Sequence, residues 1–368
     1  SMISRSEDDF TRIALKAKAA QDYFLLIGPP GTGKTSCALK KMVETFHADK
    51  DAQILLLSYT NRAVDEICKS LASIAPAVDF IRVGSELSCD EAYRGHLIEN
   101  ELSSCNRRSE VYERIRNCRI IVGTVAAISG KPELFCLKHF DVAIIDEATQ
   151  ILEPQLLGIL CARGEDGKDA IDKFVLIGDH KQLPAVVQQN TEQSAIYDES
   201  LLSIGLTNLK DSLFERLYRN CTATVHRSYD MLCRQGRMHP EVALFANRAF
   251  YGGRLIPVGL PHQIESSDTI CRLAFYPSVP EKAGASAKIN YSEARIVADL
   301  AARIYEDHQT DFDESRTLGI ITPYRSQIAL IKKEIESLGI PALNRILVDT
   351  VERFQGSERD VIIYSFCV

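Results

Sequence analysis

Residues 23–35 read YFLLIGPPGTGKT, and the fold turns on what this stretch is. An apolar run, YFLLI, breaks at a glycine–proline turn and passes into a stretch with helical periodicity, KTSCALKKMVETF. Glycines in such a turn let the backbone curl until its N–H groups point inward at phosphate oxygens, and the following helix adds a favourable dipole. A glycine-rich turn with an exposed lysine would look similar in isolation. The strand before and the helix after make it a Walker A loop. Gly28, Pro29, Pro30, Gly31, Thr32, Gly33, Lys34, Thr35 and Ser36 are therefore the candidate nucleotide cradle. Lys34 is expected to reach the β- and γ-phosphates, and Thr35 to offer its hydroxyl to Mg²⁺.

The surrounding sequence repeats the pattern. QILLLSY (53–59), DFIRVG (79–84), CRIIVGT (118–124), DVAIIDE (141–147) and KFVLIGD (173–179) are apolar nearly throughout, as strands covered on both faces are. Helical stretches such as NRAVDEICKSLASI separate them, so the expected class is α/β with a mostly parallel sheet. A second series follows, with strands at 270–276, 317–324, 345–350 and 359–366 and helices between them. The chain thus divides into halves of 1–220 and 221–368, each expected to carry a mostly parallel sheet with helices on both faces. The polar stretch 86–117 reads as a small helical insertion; 162–172 and 188–208 read as surface loops.

Composition excludes several classes. At 368 residues, 45% hydrophobic and 25% charged, the chain can build two cores and is neither disordered nor fibrous. No apolar run approaches the roughly eighteen residues of a membrane span, and no charged-then-apolar leader opens the chain. The expectation is a protein kept inside the cell, cytoplasmic or, in a eukaryote, nuclear. Its eleven cysteines include no Cys-x-x-Cys pair and read as small buried hydrophobes rather than zinc or iron–sulfur ligands. A net charge of −7 leaves room for one basic groove on an acidic body, enough for phosphate contacts.

Two further strand ends carry chemistry. VAIIDEATQ (142–150) sets Asp146 and Glu147 at the carboxyl end of an apolar strand, where ligands bind in open α/β sheets. An Asp-Glu pair there is also an ordinary start to a helix. Behind a phosphate loop, Asp146 becomes the Mg²⁺ carboxylate and Glu147 the group that orients and deprotonates water. FVLIGDHKQLPAVV (174–187) ends a strand at Gly178-Asp179 and carries Gln182, whose amide could report the γ-phosphate or simply sit in a turn closed by Pro184.

GPPGTGKT, LLLSYTNRAVDEI, IVGTVAAI, IIDEATQ, LIGDHKQLPAV, QGRMHPEV, GIITPYRSQI and VDTVERFQGSERDVIIYSF occur in this order, and the chain so resembles superfamily 1 helicases. The similarity is to the branch containing the nonsense-mediated-decay helicase and the replication nuclease–helicase, from about residue 20 to the end. It implies two RecA-like P-loop NTPase domains, ATP or another NTP with Mg²⁺ between them, and a single strand of nucleic acid crossing both. It also implies an arginine finger, Arg237 of QGRMHPEV, acting on the γ-phosphate. Thr60, Asn61, Thr124 and Thr350 become candidate nucleic-acid contacts, each hydroxyl having a rival use as a local cap. Gln355, Gly356 and Glu358 fall in the motif linking nucleotide and strand, with Glu358 placed for the ribose. Backbone contacts fit DNA and RNA alike; DNA is the expectation taken forward, with a monomeric motor moving 5′ to 3′.

Three departures from the pattern bear on function. Gly236 stands where relatives have a tyrosine, and Phe10 or Thr11 where they have an adenine-reading glutamine, so weak base selectivity is expected. The final motif with its second arginine is missing, and the ending DVIIYSFCV reads as that of a shortened chain. The accessory barrel of relatives has no counterpart. The leading expectation is a nucleic-acid-stimulated NTPase that translocates on or unwinds DNA. Its rival is a nucleotide-dependent switch that binds nucleic acid without unwinding; a metabolic kinase would have no use for the second series of motifs.

Overall fold

The computed structural model describes residues 2–223, 228–265, 271–278 and 288–367, with side chains from Asp9 onward. The chain forms two compact units, 1–272 and 273–368.

The first unit is built on a seven-stranded sheet. Its strands are β1 (Tyr23–Ile27), β2 (Ile54–Ser58), β3 (Ile81–Val83), β4 (Ile120–Thr124), β5 (Val142–Ile145), β6 (Phe174–Gly178) and β7 (Tyr229–Met231). They run in the order β3-β4-β2-β5-β6-β1-β7, and every described pairing is parallel. Alternate residues of each strand enter different cores. Leu25, Ile27, Leu55, Leu57, Ala143, Ile145 and Leu176 point to one side, and Phe24, Leu26, Ile54, Leu56, Val142, Ile144, Val175 and Ile177 to the other. That is why these strands are apolar at every position: both faces are sealed, and truncating one such leucine costs about 2–5 kcal/mol.

The strand order positions the site. The chain leaves β1, crosses to β2 and returns through β5 and β6, so the carboxyl ends of β5, β6 and β1 lie side by side. β7 then pairs with β1, Ile27 opposite Met231, and its continuation emerges beside the phosphate loop. The expected division near residue 220 thus differs from the compact packing, in which 228–265 joins the first sheet's unit. The stretch 86–117 forms short turns and the helices Ile98–Glu101 and Arg108–Asn117 between β3 and β4.

The short strands β8 (Arg234–Gln235) and β9 (Ile256–Pro257) pair within the first unit. The second unit holds β10 (Leu318–Ile321), β11 (Leu347–Asp349) and β12 (Val361–Tyr364), parallel in the order β11-β10-β12. Helices Tyr291–Asp307 and Arg325–Ser337 pack together over Leu318, Ile320 and Val348. The strand expected at 270–276 does not form: residues 271–278 are irregular, with Leu273 and Phe275 exposed, and Ile270 lies outside the described residues. An apolar run makes a strand only where an open sheet edge receives it. No helix among the described residues is long and apolar enough to cross a membrane.

Candidate functional site

The phosphate loop is held open by backbone geometry. Gly31 and Gly33 sit at φ of 72° and 74°, in the left-handed region that favours glycine. Thr32 is buried and donates its hydroxyl to the Pro29 carbonyl at 2.7 Å, closing the turn on itself. Gly28 donates its amide to the Gly178 carbonyl at 2.9 Å, tying the loop's root to the end of β6. The helix then opens with a wide π-type turn over Lys34–Leu39, in which the Gly33 carbonyl accepts from both Cys37 and Ala38. Ser36, a cradle candidate, lies on that turn and is exposed.

Lys34 and Glu147 form an ion pair of 2.8 Å. Burial works against the lysine's charge, but Glu147 and Asp146 outweigh it and hold the ammonium above its usual pKa. Asp146 is fully buried; burial first, then the neighbouring Glu147, pushes its carboxyl up to about 6. Thr35 donates its hydroxyl to Asp146 Oδ2 at 2.5 Å, so the two groups expected to share a metal already touch. A hydroxyl and a costly buried carboxylate, both hard oxygen donors, suit Mg²⁺ completed by water and phosphate oxygens. Glu147 itself has φ of 53° and ψ of 35°, left-handed for a residue with a Cβ, a strain of roughly 1–3 kcal/mol of the kind concentrated at functional sites.

Neighbouring strand ends hold these groups in place. Ser58, at the end of β2, donates its hydroxyl to the Asp146 carbonyl at 3.2 Å. A Cβ on Gly178 would stand 2.8 Å from the Thr149 methyl, so β6 abuts the loop beyond Glu147 only because residue 178 is glycine. Asp179, also buried, receives the Lys181 amide at 3.0 Å, the Gln182 side-chain amide at 2.8 Å and the Tyr251 hydroxyl at 2.7 Å. Burial, reinforced by Asp179, keeps the Tyr251 hydroxyl protonated far above its usual range.

Arg237 is brought to the phosphate loop. The Gly236 amide donates to the Gly31 carbonyl at 2.8 Å, and a Cβ on Gly31 would fall 2.3 Å from that of Arg237. Gln235 shapes this segment: its side chain accepts from the Arg237 and Met238 amides and donates to the Met238 carbonyl. Arg237 therefore shares a compact unit with Lys34, although sequence placed it in the opposite half. Phe10 reaches the other side of the loop, 3.6 Å from where a Gly33 Cβ would lie. Asp9, Phe10, Arg12, Ile13 and the stretch 231–234 line a cavity of about 120 Å³ there.

Thr60 and Thr124 stand at the ends of neighbouring β2 and β4, and both hydroxyls cap helices, accepting from Ala63 at 3.2 Å and Ala127 at 3.1 Å. Asn61 opens the first of these helices and is exposed. Thr350 opens the short helix Val351–Phe354 of the second unit, and Glu358 lies on the loop before β12. Sequence reading overlooked Tyr251 and Ser58. Nothing local marks Tyr251, whose partner lies 72 positions away; Ser58 was visible as a hydroxyl ending an otherwise apolar strand.

Comparison with known proteins places the chain among recognised families. A family model described as an AAA domain matches residues 5–113 and 99–190, and a second so described matches 209–368. The DNA replication ATP-dependent helicase/nuclease DNA2 of Xenopus laevis is 30% identical over 387 residues, covering 94% of this chain and 32% of that protein. The chain belongs to the AAA-domain family. Among its relatives, the DNA replication ATP-dependent helicase/nuclease JHS1 of Arabidopsis thaliana is 30% identical over 98% of this chain and 25% of its own length. The DNA polymerase alpha-associated DNA helicase A of Saccharomyces cerevisiae is 24% identical over 99% of this chain and 60% of its own. The chain thus spans about a quarter to a third of the length of the nuclease–helicases it matches. A solved arterivirus helicase bound to DNA aligns with 93% of the chain and 63% of its own at 15% identity and a TM-score of 0.41.

Proposed function

We propose that the chain is the NTP-hydrolysing motor core of a helicase, stimulated by single-stranded DNA and coupling hydrolysis to movement along it. The observation that carries this reading is the meeting of Lys34, Asp146, Glu147, Gln182 and the Arg237 segment around one phosphate loop. Passive nucleotide binding needs neither a strained carboxylate aimed at Lys34 nor an arginine segment laid on the loop.

In this reading the loop amides and Lys34 hold the β- and γ-phosphates, which draw the lysine away from Glu147 and leave that carboxylate to orient and deprotonate water. Thr35 and Asp146 would hold Mg²⁺, which when bound neutralises charge on the phosphate oxygens. Gln182 contacts the γ-phosphate, and Arg237 stabilises charge developing on the transferred group. Thr60, Asn61, Thr124 and Thr350 contact the strand's backbone, and Glu358 the ribose, on family resemblance. The functional halves 1–220 and 221–368, a monomeric state and a nuclear or cytoplasmic setting belong to the same proposal.

The test is phosphate release with and without single-stranded DNA, using Lys34→Ala as the inactive control. Stimulation of tenfold or more is expected. Hydrolysis that DNA leaves unchanged would return the chain to the nucleotide-switch reading, and no Lys34-dependent hydrolysis would remove the enzymatic one.

A further inference from the structure

The geometry points to Tyr251 as a positioning residue that fastens the Gln182 loop to the segment carrying Arg237, so that the two respond to nucleotide together; this rests on the hydrolytic reading above. Two attachments carry the argument. At one end, the Gly236 amide is bonded to the Gly31 carbonyl at 2.8 Å. At the other, the Tyr251 hydroxyl donates to Asp179 Oδ2 at 2.7 Å. Between them runs one stiff element, the helix Pro240–Tyr251, begun by His239, whose ring accepts the Glu241 amide. Its twelve residues span roughly 18 Å, so a shift at either end is delivered to the other.

The shared oxygen makes this contact more than packing. Asp179 Oδ2 accepts from both Tyr251 and Gln182, while Oδ1 takes the Lys181 amide. A carboxylate with 1% exposure depends on each of these donors. If Gln182 turns to a bound phosphate, Tyr251 and Lys181 still satisfy Asp179, and the amide is released at small cost. Without the phenol, Asp179 holds Gln182 more tightly and withholds it from the phosphate. Tyr251 touches no reacting atom in this scheme; it acts through Gln182.

The test is a double-substitution cycle on the intact chain, with steady-state hydrolysis in single-stranded DNA as the readout. Tyr251→Phe keeps the ring and removes only the hydroxyl; kcat is expected to fall five- to twentyfold while the KM for nucleotide stays within twofold. In a Gln182→Ala background the same substitution is expected to change kcat by less than twofold, because its effector is gone. Losses that multiply in the double variant, or an unchanged kcat in Tyr251→Phe, would overturn the assignment, as would a KM rise that accounts for the whole effect. If Tyr251→Phe folds poorly, the cycle is run with Asp179→Asn, which keeps the side chain's shape but only one of its two accepting oxygens, and losses that multiply there overturn the assignment in the same way. Failure of the wild-type chain to hydrolyse NTP at all would instead indict the underlying function.

Discussion

The Gly236 amide donates to the Gly31 carbonyl at 2.8 Å, which lays the backbone of Arg237 directly on the phosphate loop. Gly31 is thus constrained twice, by a φ of 72° and by Arg237 at 2.3 Å from any added Cβ. Gly31→Ala is expected to weaken binding of a fluorescent nucleotide at least tenfold. Gly253, at φ of 74° with nothing within 4 Å, supplies the control: Gly253→Ala carries the strain, about 1 kcal/mol, without the clash, and should bind normally. Equal losses in both would mean that the contact with Arg237 is unimportant.

The Lys34–Glu147 pair separates binding from chemistry. Glu147→Gln should keep nucleotide affinity within threefold of wild type and reduce turnover by about 10²–10⁴, the usual contribution of a general base. Lys34→Ala should lose affinity itself. Isothermal titration paired with phosphate release reads both, and a Glu147→Gln enzyme with normal turnover would move the water-activating role elsewhere.

Asp146 gives a prediction about pH and stability. Its carboxyl is raised from an ordinary 3.8 to about 6, so the folded chain holds that proton more tightly than the unfolded chain does. Stability is therefore lost as pH rises from about 4 to about 6, and above that window the ionised group costs at most about 3 kcal/mol. Asp146→Asn should raise the melting temperature at pH 7.5 in the absence of nucleotide and Mg²⁺, with little gain at pH 4, while abolishing hydrolysis. A melting temperature lowered at pH 7.5 would contradict the burial argument.

Thr60 combines two uses of one side chain, as helix cap and as proposed strand contact. Thr60→Ala is expected to cost about 1 kcal/mol in thermal unfolding, the ordinary worth of a cap. Thr60→Asn retains a capping oxygen, so its stability should be near wild type. If its affinity for fluorescently labelled single-stranded DNA nevertheless falls threefold or more, the hydroxyl serves the strand; normal affinity would leave it a cap alone.

Base selectivity should be weak. Phe10, half-buried against Gly33, offers a ring surface beside the phosphate loop, and Gly236 offers no side chain. A ring face accepts any base without reading its edge. GTP and CTP are expected to be hydrolysed within about threefold of ATP in kcat/KM, and a tenfold preference for ATP in a competition assay would refute this.

Much of the α/β framework was legible in the linear sequence, because the first sheet's strands are sealed on both faces and show it at each position, as Leu55 and Ile144 do. The phosphate loop was legible for a different reason: its glycines, Lys34 and Thr35 act within a few residues of one another, and the chemistry is written in their spacing. The run at 270–276 misled because apolar character signals burial, not the neighbour that supplies it. What tertiary structure alone decided was the company these groups keep. β7 adds beside β1 and so delivers Arg237 to Gly31, and a helix end places Tyr251 on Asp179. Pairing of distant strands and burial of a shared carboxylate are decided by the free energy of the whole packed unit, and no short stretch of chain contains that sum.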